Sequence, residues 1–236
     1  MAFLSGLKVR AVLMKHQKGD TEGALVAYQQ LFDSGLNQAS YILPYSVLLL
    51  RQGGEANYER VKQILIKAQK ASDLNAERKQ QLFVNYAVAS WKTGGKDKAI
   101  ELLEGAHREA PTSLTYNTLG FLYVEAGDRE KALPFNLEAY EYDDTDPITL
   151  DNLAQTYYRL LHDKETAKTY FDRAHTLKPE QIDTLYFLAQ YDLDNGDKQA
   201  ALEKLQTAVE GRFSPLNFIS QEHIQSEIDK LKADDQ

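Results

Sequence analysis

Residues 116–139 read YNTLGFLYVEAGDREKALPFNLEA, and the spacing within this stretch decides the fold. Tyr116, the pair Leu119-Gly120 and Tyr123 fall three or four residues apart, which places them on one face of a helix. Gly127 permits the left-handed backbone that stops such a helix, and Asp128 can accept the amide hydrogen bonds that start another. Ala132 and Ala139 then resume the spacing with side chains small enough for two helices to approach closely. The stretch predicts a helical hairpin.

The same order of residue types recurs on both sides. Phe83, Tyr86-Ala87 and Ser90 precede Gly94, Ala99, Leu103, Ala106 and Pro111. Leu150, Leu153-Ala154 and Tyr157 precede Ala167, Phe171, Ala174 and Pro179, and a further unit carries Leu185, Leu188-Ala189, Gly196-Asp197, Ala201, Leu205 and Ala208. Two weaker units lie upstream. Gly19-Asp20, Ala24 and Tyr28 fit the first, although Lys8 and Lys15 stand where large apolar residues are expected. Ile42, Tyr45-Ser46 and Leu49 fit the second, whose Val61, Leu65 and Ala68 follow only after extra residues near Glu55.

This periodicity resembles the tetratricopeptide repeat family over roughly residues 5–213. The resemblance implies an all-α, right-handed superhelix of about six hairpins forming one domain, with repeats at 5–38, 39–76, 80–112, 113–146, 147–180 and 182–214. After Pro215, Phe218, Ile219, His223, Ile224, Ile228 and Leu231 make a stripe that predicts a capping helix over 216–232. Asp146-Pro147 suits a helix N-cap followed by a first-turn proline. Pro44 and Pro134 fall inside predicted helices and imply either kinks or shifted boundaries. In the fifth unit, Leu160-Leu161-His162-Asp163 replaces the Gly-Asp turn and adds one residue, while Asn136 stands where a bulky residue is expected, as a core amide or a groove contact.

Composition excludes several kinds of chemistry. The 236 residues contain no cysteine, so disulfides, thiolate metal sites and thiol nucleophiles are unavailable. His16, His107, His162, His175 and His223 are scattered with no metal-binding spacing, and Gly53-Gly54 and Gly94-Gly95 sit at expected turns. Asp143, Asp144 and Asp146 lack the glycine and distal glutamate of a calcium loop. The expectation is a non-enzyme without cofactor or metal. No run reaches the roughly 18 apolar residues of a membrane span, which reads as a soluble, cytoplasmic protein or the soluble part of a longer anchored or exported one.

Charge is uneven: residues 111–236 carry 12 Lys+Arg against 24 Asp+Glu, whereas residues 1–110 carry 15 against 11. An acidic half disfavours nucleic acid, whose phosphates require clustered cations, and favours solvated faces or a basic protein partner.

In arrays of this family the flank of each first helix lines a concave groove. That register selects Leu43, Val47, Val84, Val88, Trp91, Asn117, Phe121 and Val124, then Asn152, Gln155, Tyr158, Tyr186 and Gln190, a surface that turns from apolar to polar and acidic. Trp91, Phe121, Tyr158 and Tyr186 are the candidate anchors, and Asn117 and Asn152 could bond an extended backbone. The function expected is a scaffold or adaptor that holds a peptide, helix or protein in this groove. The alternatives are a self-assembling protein that pairs through the same apolar residues, or a flank filled by the chain itself, including Phe3, Leu4 and Leu7. The family's lysine, arginine and asparagine clamp for a terminal carboxylate is not matched: Val84, Val88, Thr118 and Ile148 occupy its places, and only Asn152 agrees.

Overall fold

A computed structural model describes residues 2–233, with side chains from Gly6 onward. Among these residues all regular structure is helical. Six antiparallel pairs follow one another: α1 (Ala2–Gln17) with α2 (Thr21–Asp33), α3 (Ala39–Gln52) with α4 (Glu55–Ala68), and α5 (Ala76–Lys92) with α6 (Lys96–Glu109). The sequence continues with α7 (Ser113–Ala126) and α8 (Arg129–Tyr142), α9 (Pro147–Gln155) and α10 (Lys164–Leu177), and α11 (Ile182–Asp194) and α12 (Lys198–Val209). Helix α13 (Gln221–Ala233) packs on α12. The hairpins group into two compact units, Met1–Glu109 and Ala110–Gln236.

The turn chemistry follows the residues. Asp20, Asp128 and Asp197 each accept a hydrogen bond from the amide three positions on, at 2.9–3.1 Å. Asp146 caps α9 by accepting from Ile148 at 2.7 Å, with Pro147 in the first turn. Gly127 takes the left-handed conformation at φ 71°. Where the fifth hairpin has no glycine, His162 takes that conformation instead, at φ 56°, and Asp163 caps α10. The extra residue of that hairpin is absorbed in a π-helical turn, Thr156–Leu161, directly continuing α9. The extra residues near Glu55 become an added first turn of α4, since Val61 is the first buried residue of that helix.

Both internal prolines lie within continuous helices, α3 and α8. Each is the sixth residue, so the carbonyl it leaves without a helical partner belongs to Ser40 or Glu130 in the first turn. Neither marks a boundary.

The first unit is built on tyrosines. Tyr28 of α2 is fully buried and stacks on Tyr41 and Tyr45 of α3, with centroids 6.5 and 5.3 Å apart. The start of α3 has no side-chain cap of its own. Asp73, in the loop before α5, supplies one by accepting from the amides of Ala39 and Ser40 at 2.6 and 3.0 Å. Burial pushes the Asp73 carboxyl up, but these bonds and Arg78 at 3.1 Å outweigh it and hold the group below the usual carboxylate range. In α1, Lys8 and Lys15 are exposed while Val9 and Val12 turn inward, so the degenerate first unit still forms its hairpin.

In the second unit Leu119, Leu122, Leu150, Leu153 and Phe171 are fully buried. Asn136 is buried as well, a core amide that donates to Thr156 Oγ1 at 3.1 Å and to the Gly120 carbonyl at 3.4 Å. Only a glycine at 120 leaves room for it, because a Cβ there would run into the Asn136 side-chain oxygen. The predicted capping helix starts five residues later than expected, at Gln221, because Asp183 holds the preceding 217–219 segment by its amides, and Ile224 and Ile228 of α13 close a cluster with Leu202, Leu205 and Ala208 of α12.

Candidate interaction surface

The first helices of the hairpins carry the flank selected from sequence, and most of it is packed. Leu43, Val84, Val88, Trp91, Phe121, Val124, Asn152 and Gln155 are buried, while Val47, Asn117, Tyr158, Tyr186 and Gln190 are half-buried. Eight of these thirteen residues are thus packed within the chain, and five keep part of their surface. Trp91 and Phe121 are 7% and 5% exposed, which leaves neither ring free to anchor a partner. Phe3 and Leu4, also expected here, lie outside the residues whose side chains are described; Leu7 is half-exposed.

The polar residues of the flank bond one first helix to the next. In the first unit, Asn85 of α5 donates to Ser46 Oγ of α3 at 2.8 Å and accepts from Gln81 at 2.6 Å. In the second, Asn117 of α7 donates to Asp146 at 2.9 Å, accepts from Thr149 of α9 at 2.9 Å, and its backbone carbonyl accepts from Asn152 at 2.9 Å. These amides, expected to meet a peptide backbone, are engaged within the chain. One hairpin on, Thr184 Oγ1 of α11 donates to Asp151 Oδ1 of α9 at 2.5 Å, and Gln155 donates to Asp151 Oδ2 at 2.7 Å. Asp183 accepts from Asn217 and from the amides of Phe218 and Ile219 at 3.0–3.3 Å, tying the approach to α13 onto α11.

Asp151 and Asp183 are both buried. Burial pushes the Asp151 carboxyl above the ordinary carboxylate range, and burial plus the charge of Asp151 pushes Asp183 the same way. Helical register by itself does not reveal the burial of either acid. The missed signal is threonine immediately before the large residue of the first helix, Thr149-Leu150 and Thr184-Leu185. This small hydroxyl reaches the residue five places into the preceding first helix.

Tyr158, Tyr186 and Gln190 also have internal partners. Tyr158 packs edge-on against Tyr191 and beside Phe187 at 5.6 and 5.0 Å. Tyr186 and Gln190 donate to the Glu227 carboxylate of α13 at 3.4 and 3.1 Å. Arg159, in the π turn, lies 3.9 Å over the Phe218 ring and pairs with Glu125 at 2.5 Å.

Surface is left open at the amino-terminal ends of the first helices in the second unit. Ile148, second residue of α9, is 42% exposed, and Leu114, second residue of α7, is half-buried. Tyr142, at the end of α8, is 52% exposed, with its ring 4.8 Å from Tyr116 of α7. Asp143 and Asp144 follow it directly. Among the described residues no cluster of three or more acidic or histidine side chains is arranged to hold a metal ion, and no helix is long and apolar enough to cross a membrane.

A solved tetratricopeptide repeat protein of Parabacteroides merdae superposes with a TM-score of 0.77 over 97% of this chain and 84% of its own, at 10% identity. The chain has the tetratricopeptide repeat fold. A thermophilic tetratricopeptide repeat protein of Thermus thermophilus (TM-score 0.65, 16% identity, 83% of this chain and 99% of its own) shares the architecture. So does PilF of Pseudomonas aeruginosa (TM-score 0.61, 16% identity, 94% and 97%). No protein-family model and no curated protein sequence matches. The tetratricopeptide repeat assignment thus rests on the hairpin register and on these structures, which agree on the fold.

Proposed function

We propose that the protein is a non-catalytic interaction scaffold whose partner is a basic, partly apolar peptide or protein. The observation that carries this reading is that Tyr142 and Ile148 are exposed on either side of the short acidic connection holding Asp143, which accepts from Thr145, and Asp144, which pairs with Arg173 at 3.7 Å, while Leu114 at the start of α7 is half-buried. An exposed Ile148 and a partly exposed Leu114 at the second positions of α9 and α7 give this edge apolar surface that a partner can cover. The acidic balance of the second half favours a cationic partner and fast, salt-dependent encounter. Within the second unit, the packed flank residues Asn152 and Gln155 stiffen this edge, and the half-buried Asn117, Tyr158, Tyr186 and Gln190 border it.

The test is affinity capture with quantitative mass spectrometry, comparing the native chain with Ile148→Asp and with Asp144→Lys. An acidic residue in the first turn of α9 suits the helix dipole, so Ile148→Asp retains the fold, which circular dichroism checks. Loss of the same specific partners with both variants is expected. Undiminished capture by both would sink the assignment of this edge.

A further inference from the structure

Helix α1 presents an outer face that the rest of the fold treats as interior. Leu7, Ala11 and Met14 lie on one side of α1 at spacings of four and three, and Leu7 and Met14 are 50% and 47% exposed. The residues in the register position of Leu7 in other first helices include Tyr41, Leu82, Thr149 and Thr184, none more than 2% exposed. Those in the position of Met14 are Leu48, Ala89, Leu122 and Thr156, none more than 5% exposed, and Tyr191, which is half-buried. They are covered because they face the preceding hairpin, as the stacking of Tyr41 on Tyr28 and the bonds from Thr149 to Asn117 and from Thr184 to Asp151 demonstrate. On α1 the same register positions hold Leu7 and Met14, apolar and about half-exposed.

In the second unit, α13 packs on α12, and an open groove of about 670 Å³ runs along the outer side of the pair. Val209 of α12 and a stripe along α13 that includes Glu222, Ser226, Asp229 and Ala233 line it. The two ends are complementary in charge. Residues 1–19 contain Lys8, Arg10, Lys15 and Lys18 and no acidic residue, whereas Glu222 and Asp229 lie in the groove, with Lys230 its single cation.

We propose that copies of this chain associate head to tail, with the outer face of α1 seated in the α12–α13 groove of the next copy. Leu7, Ala11 and Met14 then meet Val209, Ala233 and the aliphatic stems of the stripe, and Lys8, Arg10 and Lys15 face Glu222 and Asp229. Pairing of α1 with α1 would oppose cations to cations, which excludes a two-fold joint. A heterologous contact leaves one head and one tail free after every addition, so it propagates into chains instead of stopping at a dimer. This surface is separate from the edge around Ile148, and either assignment stands without the other.

Sedimentation velocity across a concentration series at low salt, using the complete chain, tests it. The native protein is expected to show a weight-average mass that rises with concentration and falls when salt screens the joint. Met14→Glu disables the head and Glu222→Lys/Asp229→Lys disables the tail, each weakening association at least tenfold. Because the substituted residues are exposed, both variants retain native circular dichroism. An equimolar mixture of the two has one intact head and one intact tail, and is expected to form dimers that grow no further. A native chain that stays monomeric throughout, a variant that associates as well as the native chain, or a mixture that stays monomeric overturns the proposal.

Discussion

Thr184 of one first helix donates its hydroxyl to the Asp151 carboxylate of the preceding one at 2.5 Å, inside a region from which water is excluded. Thr184→Val keeps the shape and removes the donor, so one oxygen of a buried carboxylate loses a partner. Leaving such a group unsatisfied costs about 1–3 kcal/mol, and a urea melt at neutral pH should show that loss. A midpoint unchanged from the native chain would mean that the contact contributes nothing.

The same carboxylate and its neighbour Asp183 set a pH dependence. Both hold their protons to higher pH in the folded chain than in the unfolded one. The folded state therefore binds more protons between the ordinary carboxylate range, about 4, and neutrality, and stability falls as pH rises through that window. His16 works in the opposite direction, because burial lowers its affinity for a proton. Comparing native chain and Asp183→Asn isolates the acidic contribution: melts from pH 4.5 to 7.5 should give a slope less negative in the variant. An identical slope in both would show that Asp183 does not titrate in this range.

Gly120 and Asn136 form a matched pair. Gly120→Ala forces a methyl against the Asn136 amide, an overpacking that costs about 1–3 kcal/mol. Asn136→Ala alone strips the hydrogen bond from Thr156. Since the second change makes room for the first, the double variant should be more stable than the sum of the two losses predicts. Strict additivity in a double-mutant cycle would mean that the two sites do not touch.

His162 holds a left-handed conformation without being a glycine. His162→Gly removes strain of about 1 kcal/mol, offset in part by the larger entropy of the unfolded chain. A rise in melting temperature of up to a few degrees is the expected result, and a fall would show that the imidazole makes a stabilising contact.

The hairpins were legible because each helix boundary is written in local chemistry: Gly127-Asp128 and Gly196-Asp197 stop and start helices wherever they stand, and Asp146-Pro147 opens another. The candidate surface was far less legible. Helical register tells which side of a helix a residue occupies, and it placed Trp91, Phe121 and Gln155 on one flank. It does not tell how closely the next first helix lies against that flank. That distance is set by residues such as Gly120 and the paired threonines, whose roles depend on contacts 16 or more positions away, 32 from Thr149 to Asn117. Asn136 shows the same limit, since one side-chain amide in a helix is identical on the page whether it meets water or Thr156.

The π turn of the fifth hairpin has a consequence for how such a chain can vary in length. One added residue in an α-helix turns everything after it by about 100°, which would carry Ala167, Phe171 and Ala174 off the face they share with the corresponding residues of the other hairpins. Widening a single turn confines the misfit to six residues, Thr156–Leu161. Those three residues remain buried, and repeats of unequal length can share one lattice.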